Sequence, residues 1–316
     1  MNRLKVRFSK ILKIIKTGFF VEQNLISDKA TLVKRASYLR IATASLASAM
    51  QSGAFRSLYR GRGVEFSGVR EYLRGDDVRA IDWNVTARNA KPFVKIFDEE
   101  RELQILLIVD RSLSMQTFSS ARTRLEAASE IAALLALSAE HNSNPVGAVL
   151  FSGEVEFVIA PKTGQEHTML LLSHLDSFPK KSRGSVLENA LQGACKILKK
   201  RSLVFVISDF RVGGWENPFA ILASKHDVVA LKISDALDSA LPEMGTIFFR
   251  DAESGAKKLF PTFSKIFQNS WREDSAMREK RWRTLVTRRG GVPLSVSTAV
   301  DSLAVLSEFF SRKKGS

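Results

Sequence analysis

The run Ile105 to Asp110, ILLIVD, constrains this chain more than any other stretch. Five apolar residues in succession leave no polar face, so the strand they form must be buried on both sides, as in a parallel sheet covered by helices. The run ends in an acid, followed by Arg111, Ser112, Leu113 and Ser114. In open α/β sheets ligands bind beyond the carboxyl ends of the strands, so Asp-x-Ser-x-Ser stands where chemistry is expected. Its one carboxylate and two hydroxyls are hard oxygen donors suited to Mg²⁺ or Mn²⁺. The plain alternative is a loop that caps the next helix.

The downstream text repeats this logic. A helix starting at Thr123 or Arg124 places Leu125, Ala128, Ile131, Ala132, Leu135 and Ala139 on one face. Pro145 then precedes VGAVLF, and Ser152-Gly153 turns the chain into EVEFVIA, a hairpin. Helical text covers 164–175 and 186–200, separated by the polar loop KKSRGS. LVFVIS is a second buried strand that ends in an acid, Asp209, so two parallel strands would present Asp110 and Asp209 to one crevice. DVVALKIS is another buried strand, and GTIFFRDAESGAKKLF reads as a hairpin around Glu253-Ser254-Gly255. A charged helix over 273–289, the strand PLSVS and a last helix over 299–311 complete the pattern. Strands alternating with helices predict an α/β, doubly wound, Rossmann-like parallel sheet.

Upstream, the chain divides differently. Residues 1–54 form a basic helical segment, 55–104 a β-rich segment with interleaved arginine and aspartate, and 105–316 the α/β domain. Leu4, Phe8, Ile11, Leu12 and Ile15 make one apolar stripe of an amphipathic helix, docked on the body or lying on a membrane surface. Thr31 to Ala49 is a second helical pattern. Residues 1–62 hold thirteen Lys or Arg against Glu22 and Asp28, which places +11 of the chain's +15 there. Such a segment attracts anionic lipid, nucleic acid or an acidic protein. Within 55–104, Arg70, Glu71, Arg74, Asp76, Asp77, Arg79 and Asp82 read as salt bridges tying this segment to the next domain. Arg74-Gly75-Asp76 reads as a coincidental adhesion tripeptide.

Several classes are disfavoured. One cysteine, Cys195, makes neither a disulfide framework nor a cysteine-rich zinc site, and no h-region or spanning run occurs, so a cytoplasmic setting is expected. The chain lacks G-x-S-x-G, a phosphate-binding G-x-x-x-x-G-K-[ST] loop and H-E-x-x-H, and its four histidines have no metal spacing. No enzyme is expected. Four scattered tryptophans suit core packing better than base stacking, so no specific nucleic acid is expected.

From Ile105 onward the chain resembles a von Willebrand factor A domain, whose adhesion-type metal site uses Asp-x-Ser-x-Ser, a threonine from a later loop and an aspartate after a middle strand. The resemblance implies that Asp110, Ser112, Ser114, Ser185 in RGSVLENAL and Asp209 in VISDF are the metal ligands. Ser185 stands where a threonine is usual and lacks the methyl that stiffens χ1. The block GRGVEFSGVREYLRGDDVRAIDWNVTAR, with FDEERE after it, resembles the bacterial domain of unknown function 58 family linked to MoxR-type AAA+ ATPases, a likeness running from about Tyr59 to Phe310. It implies a metal-dependent protein-interaction adaptor that works with a MoxR-type ATPase in assembling or activating client complexes. Mg²⁺ or Mn²⁺ would be held weakly until a client's acidic side chain completes the coordination. The alternative is a membrane-surface or nucleic-acid binder acting through the basic amino terminus, with peripheral inner-membrane contact through residues 1–20.

Overall fold

A computed structural model describes residues 65–89, 91–98, 103–116, 122–177, 184–243, 245–250 and 257–311. The two amino-terminal helical patterns and the Glu253-Ser254-Gly255 turn lie outside these residues, as does any contact of residues 1–20.

The centre is a six-stranded sheet whose strands are β3 (Ile105–Asp110), β4 (Val146–Phe151), β5 (Val155–Lys162), β6 (Leu203–Ser208), β7 (Asp227–Ser234) and β10 (Val292–Ser297). Their spatial order is β10-β7-β6-β3-β4-β5. All neighbours run parallel except β4 and β5, which pair antiparallel across the expected hairpin. The sheet is therefore mixed: the expected hairpin adds one antiparallel edge strand to the doubly wound parallel set, because a tight Ser152-Gly153 turn reverses the chain whereas a parallel neighbour needs a crossover. β3, β4 and β6 are buried at every residue, as their unbroken apolar text requires.

Helices cover both faces. On one lie α2 (Arg124–His141), α3 (Gln165–Asp176) and α8 (Ser302–Ser311); on the other lie α4 (Leu187–Ile197), α5 (Glu216–Lys225) and α7 (Lys265–Arg288). Leu106, Ile108, Val204, Val206, Val228 and Ala230 point to the second face, where Leu191, Phe219, Trp282 and Val286 close the core. Phe205 points the other way and meets Phe310 of α8, ring centroids 6.3 Å apart. This is the α/β, doubly wound architecture expected of a von Willebrand factor A-like domain. Thr123 caps α2 through a reciprocal box with Glu126, so the helix starts at Arg124. A short α6 (Ala236–Ser239) follows β7, and β8 (Thr246–Arg250) pairs with β9 (Lys257–Pro261) as the second expected hairpin.

Several elements differ from expectation, among them the starts of two helices. α7 begins at Lys265 rather than 273, because the Ser264 hydroxyl accepts a bond from Phe267 N and caps it. α8 begins at Ser302, since Thr298, Ala299 and Val300 form a turn and Asp301 accepts from Leu303 N at 3.1 Å. α5 went unmarked in the sequence.

Upstream, β1 (Glu65–Glu71) and β2 (Phe93–Asp98) pair antiparallel, with α1 (Trp83–Asn89) between them. Among the described residues, the ion pairs of this block close on the block itself, Arg70 with Asp76 and Lys91 with Glu71. Asp77 and Asp82 accept from backbone amides. The expected bridges to the next domain give way to local capping, which a short carboxylate satisfies within two or three residues. No helix among the described residues is long and apolar enough to cross a membrane.

Candidate metal centre

Strand order reverses at β3. Its crossover through α2 leads to β4 on one side, while β6 lies on the other, so the carboxyl ends of β3 and β6 flank a topological switch point. Val109 is level with Ile207, which sets Ser208 beside Asp110 and Asp209 one residue further on. Asp110 and Asp209 are both buried, at 1% and 4% exposure.

The loop after Asp110 folds back on it. Ser112 N donates to Asp110 Oδ1 at 2.9 Å, and the Ser112 and Ser114 hydroxyls lie 3.2 Å apart in a 3₁₀ turn over Leu113–Gln116. Asp110 Oδ2 accepts from the Ser208 hydroxyl at 2.7 Å and the Ser185 hydroxyl at 3.3 Å. Ser185 is carried there because Val186 N donates to the Ser152 carbonyl at 2.8 Å, joining the start of α4 to the end of β4. The five residues expected at the site thus converge on one end of the sheet.

Ser208 was not foreseen. Besides bonding Asp110, its hydroxyl accepts from Phe210 N at 3.0 Å, so one buried group spans both strand ends. Phe210 has φ +53, a left-handed conformation uncommon for a bulky residue. Its ring packs on Trp215 and Trp282, centroids 5.0 and 5.5 Å away, which holds the backbone there and fixes the turn that follows Asp209. Arg111 turns away from the site, pairing with Glu156 at 3.3 Å and donating to the His174 carbonyl at 3.1 Å and the Ser177 carbonyl.

Electrostatics follow from burial. Desolvation, and next the charge of Asp209, raise the Asp110 carboxyl to about 6, against the opposing bonds from Ser112 and Ser208. Asp209 Oδ1 accepts from Arg211 N at 3.1 Å, whereas its buried Oδ2 has no hydrogen-bond partner, the Arg211 Nε standing 3.6 Å off. Arg211 also bonds Asp238, which pairs with Arg124 at 2.6 Å, and Arg124 donates to the Ser114 carbonyl at 3.1 Å. This chain of contacts links the two loops around the site.

Among the described residues no three His, Cys, Asp or Glu gather, so a cation here would rest on two carboxylates and serine hydroxyls. That all-oxygen set fits a hard divalent ion, and an under-bonded buried carboxylate oxygen beside a second acid is where one would be stabilised.

Comparison with known proteins gives the family. Uncharacterized proteins of Mycobacterium bovis (strain ATCC BAA-935 / AF2122/97) and Mycobacterium tuberculosis (strain ATCC 25618 / H37Rv) are each 31% identical to this chain over 269 residues, 83% of this chain and 84% of theirs. Among solved structures, the conserved hypothetical protein BatB from Bacteroides thetaiotaomicron is similar at TM-score 0.44 and 18% identity, over 65% of this chain and 96% of that one. The SpRpn10 VWA domain is similar at TM-score 0.35 and 14% identity, over 65% and 94%. No enzymatic family is indicated by these matches. The family model described as "Protein of unknown function DUF58" matches residues 68–281, well over half of the sequence. The chain belongs to this family.

Proposed function

We propose that this chain is a metal-dependent protein-interaction adaptor, with Asp110, Ser112, Ser114, Ser185 and Asp209 holding Mg²⁺ or Mn²⁺. The observation that carries the reading is the gathering of the Ser112, Ser114, Ser185 and Ser208 hydroxyls around buried Asp110, with buried Asp209 just past the end of the adjacent strand. The ion, when bound, supplies an open position for an acidic side chain of a client. The protein's own residues do the positioning: Ser208 and Ser112 N orient the Asp110 carboxylate, and the Phe210 turn orients Asp209. Metal and client carboxylate would then bind cooperatively. The resemblance over Tyr59 to Phe310 supports a MoxR-type AAA+ ATPase as the partner and assembly or activation of client complexes as the task.

The test is retention of the purified MoxR-type ATPase of the same organism on full-length protein, with Mg²⁺, with chelator, and with Asp110→Ala in Mg²⁺. Retention confined to wild type with Mg²⁺ is the expected result. Equal retention in all three overturns the metal mechanism. If retention instead falls steeply with added salt and is lost on deletion of residues 1–62, binding resides in that basic segment.

A further inference from the structure

The segment from Tyr72 to Asp82 is a closed loop. Tyr72 N donates to the Pro92 carbonyl and Asp82 N to the Phe93 carbonyl, both at 2.8 Å, so its ends meet consecutive residues at the start of β2. Compact loops with ends drawn together in this way frequently carry function. Inside, the Arg70 guanidinium grips Asp76 with two bonds, at 2.6 and 2.8 Å, and Leu73 N donates to Asp76 Oδ2 at 2.9 Å. Gly75, at φ +112, makes the turn between them, a conformation that favours glycine. Asp77 caps a 3₁₀ turn over Val78–Ala80, and Asp82 accepts from Asn84 N at the start of α1.

These pins do not serve a core. Neither the 3₁₀ turn nor α1 buries a single residue. Leu73, Val78 and Trp83 are instead 64%, 59% and 67% exposed. The acids are turned inward: Asp76, Asp77 and Asp82 all bond to the segment itself, and Arg70 keeps the Asp76 carboxyl down at about 2. Among the described residues, no hydrogen bond or ion pair engages the exposed guanidinium groups of Arg74, Arg79 and Arg88. A stretch that alternates arginine and aspartate in sequence therefore presents arginine and apolar surface outward. Its Arg-Gly-Asp tripeptide offers no free aspartate.

We infer that the loop from Tyr72 to Trp83 docks an acidic, apolar-bearing segment of a partner protein. Exposed tryptophan and arginine on a rigid frame are the residues that dominate protein interfaces. Trp83 is the one exposed aromatic of the three and its neighbours Leu73 and Val78 are aliphatic, so the loop lacks the row of aromatic rings on which successive bases stack, and the chemistry favours protein over nucleic acid. The inference is independent of the metal reading.

The test places a photo-crosslinking phenylalanine derivative at 73, 78 or 83 of the full chain in its native cells, with exposed Ile221 and Met169 positions as controls. The expected result is an adduct to one polypeptide from the three loop positions and not from the controls, through a peptide rich in Asp and Glu. Its yield should fall at least fivefold with Arg74→Glu combined with Arg79→Glu, and less with Arg74→Gln and Arg79→Gln, while thermal melts stay unchanged. Adducts no stronger than the controls, adducts to nucleic acid or lipid, a non-acidic attached peptide, or yields indifferent to charge reversal would each overturn the inference.

Discussion

At the scale of single residues, the candidate centre is held by groups that oppose its stability. A carboxyl raised to about 6 in the folded chain, against an ordinary value near 4, makes the folded state less stable above pH 6 and costs nothing below about pH 4. Asp110→Asn removes that cost. Metal-free protein carrying it should be more stable than wild type at pH 8, by about 1–2 kcal/mol in urea unfolding, and the gain should shrink toward pH 4. A mutant less stable than wild type throughout would mean that the Ser112, Ser185 and Ser208 bonds outweigh desolvation. Phe210 adds strain of about 1–3 kcal/mol, offset by its packing on Trp215 and Trp282. Asp110, Ser112, Ser114 and Asp209 were legible because apolar runs end abruptly in acids and hydroxyls. Ser185 came only through the family resemblance. Ser208 was hidden, since its role depends on the register of two strands whose bonded residues are 98 positions apart.

At the scale of elements, two contacts fix the sheet's edges. In β4, a Cβ on Gly147 would stand 2.6 Å from Ile159 O and Pro161 N of β5, so the antiparallel strand closes on bare backbone. Gly147→Ala should cost about 1–3 kcal/mol of unfolding free energy, read from the urea midpoint, because the obstructing atoms are backbone and have little room to shift. At the other side, Glu279 of α7 bonds Lys232 of β7 at 3.0 Å and Ser295 of β10 at 2.5 Å, with Arg283 at 2.7 Å. Burial pushes this carboxyl up, but Ser295, Lys232 and Arg283 together hold it below its ordinary value. A lowered folded value means stability that is present above the unfolded value and lost as pH falls through the folded one. Wild type should exceed Glu279→Gln by about 1 kcal/mol at pH 7, a difference that narrows below about pH 4.5 in pH-dependent melts. A gap constant with pH would assign the effect to packing. α5 escaped sequence reading because Trp215 gives it no side-chain cap, Pro218 sits in its first turn, where proline is tolerated, and ten residues show little periodicity. The first turns of α7 were left unassigned because their aromatic residues Phe267 and Trp271, which pack on Phe260 of β9, fall outside the charged text that marks the rest of the helix.

At the scale of the whole molecule, the chain combines a doubly wound α/β domain with an upstream block in which Glu71, Asp76, Asp77 and Asp82 bond within the block itself. The alternating strands and helices were plain in the sequence, since buried parallel strands are apolar on both faces; the outward set of the arginines was not, because capping is a matter of backbone geometry. On the function proposed above, the acids and hydroxyls at the ends of β3 and β6 hold a divalent ion. The most direct measurement follows free Mn²⁺ by electron paramagnetic resonance as full-length protein is added at pH 7.5, with Mg²⁺ as competitor and Ser112→Ala and Asp110→Asn as variants. Binding of one Mn²⁺ per wild-type chain, reversed by Mg²⁺ and lost in both variants, is the predicted result. A free Mn²⁺ signal unchanged by wild-type protein, or lowered equally by wild type and variants, would contradict it.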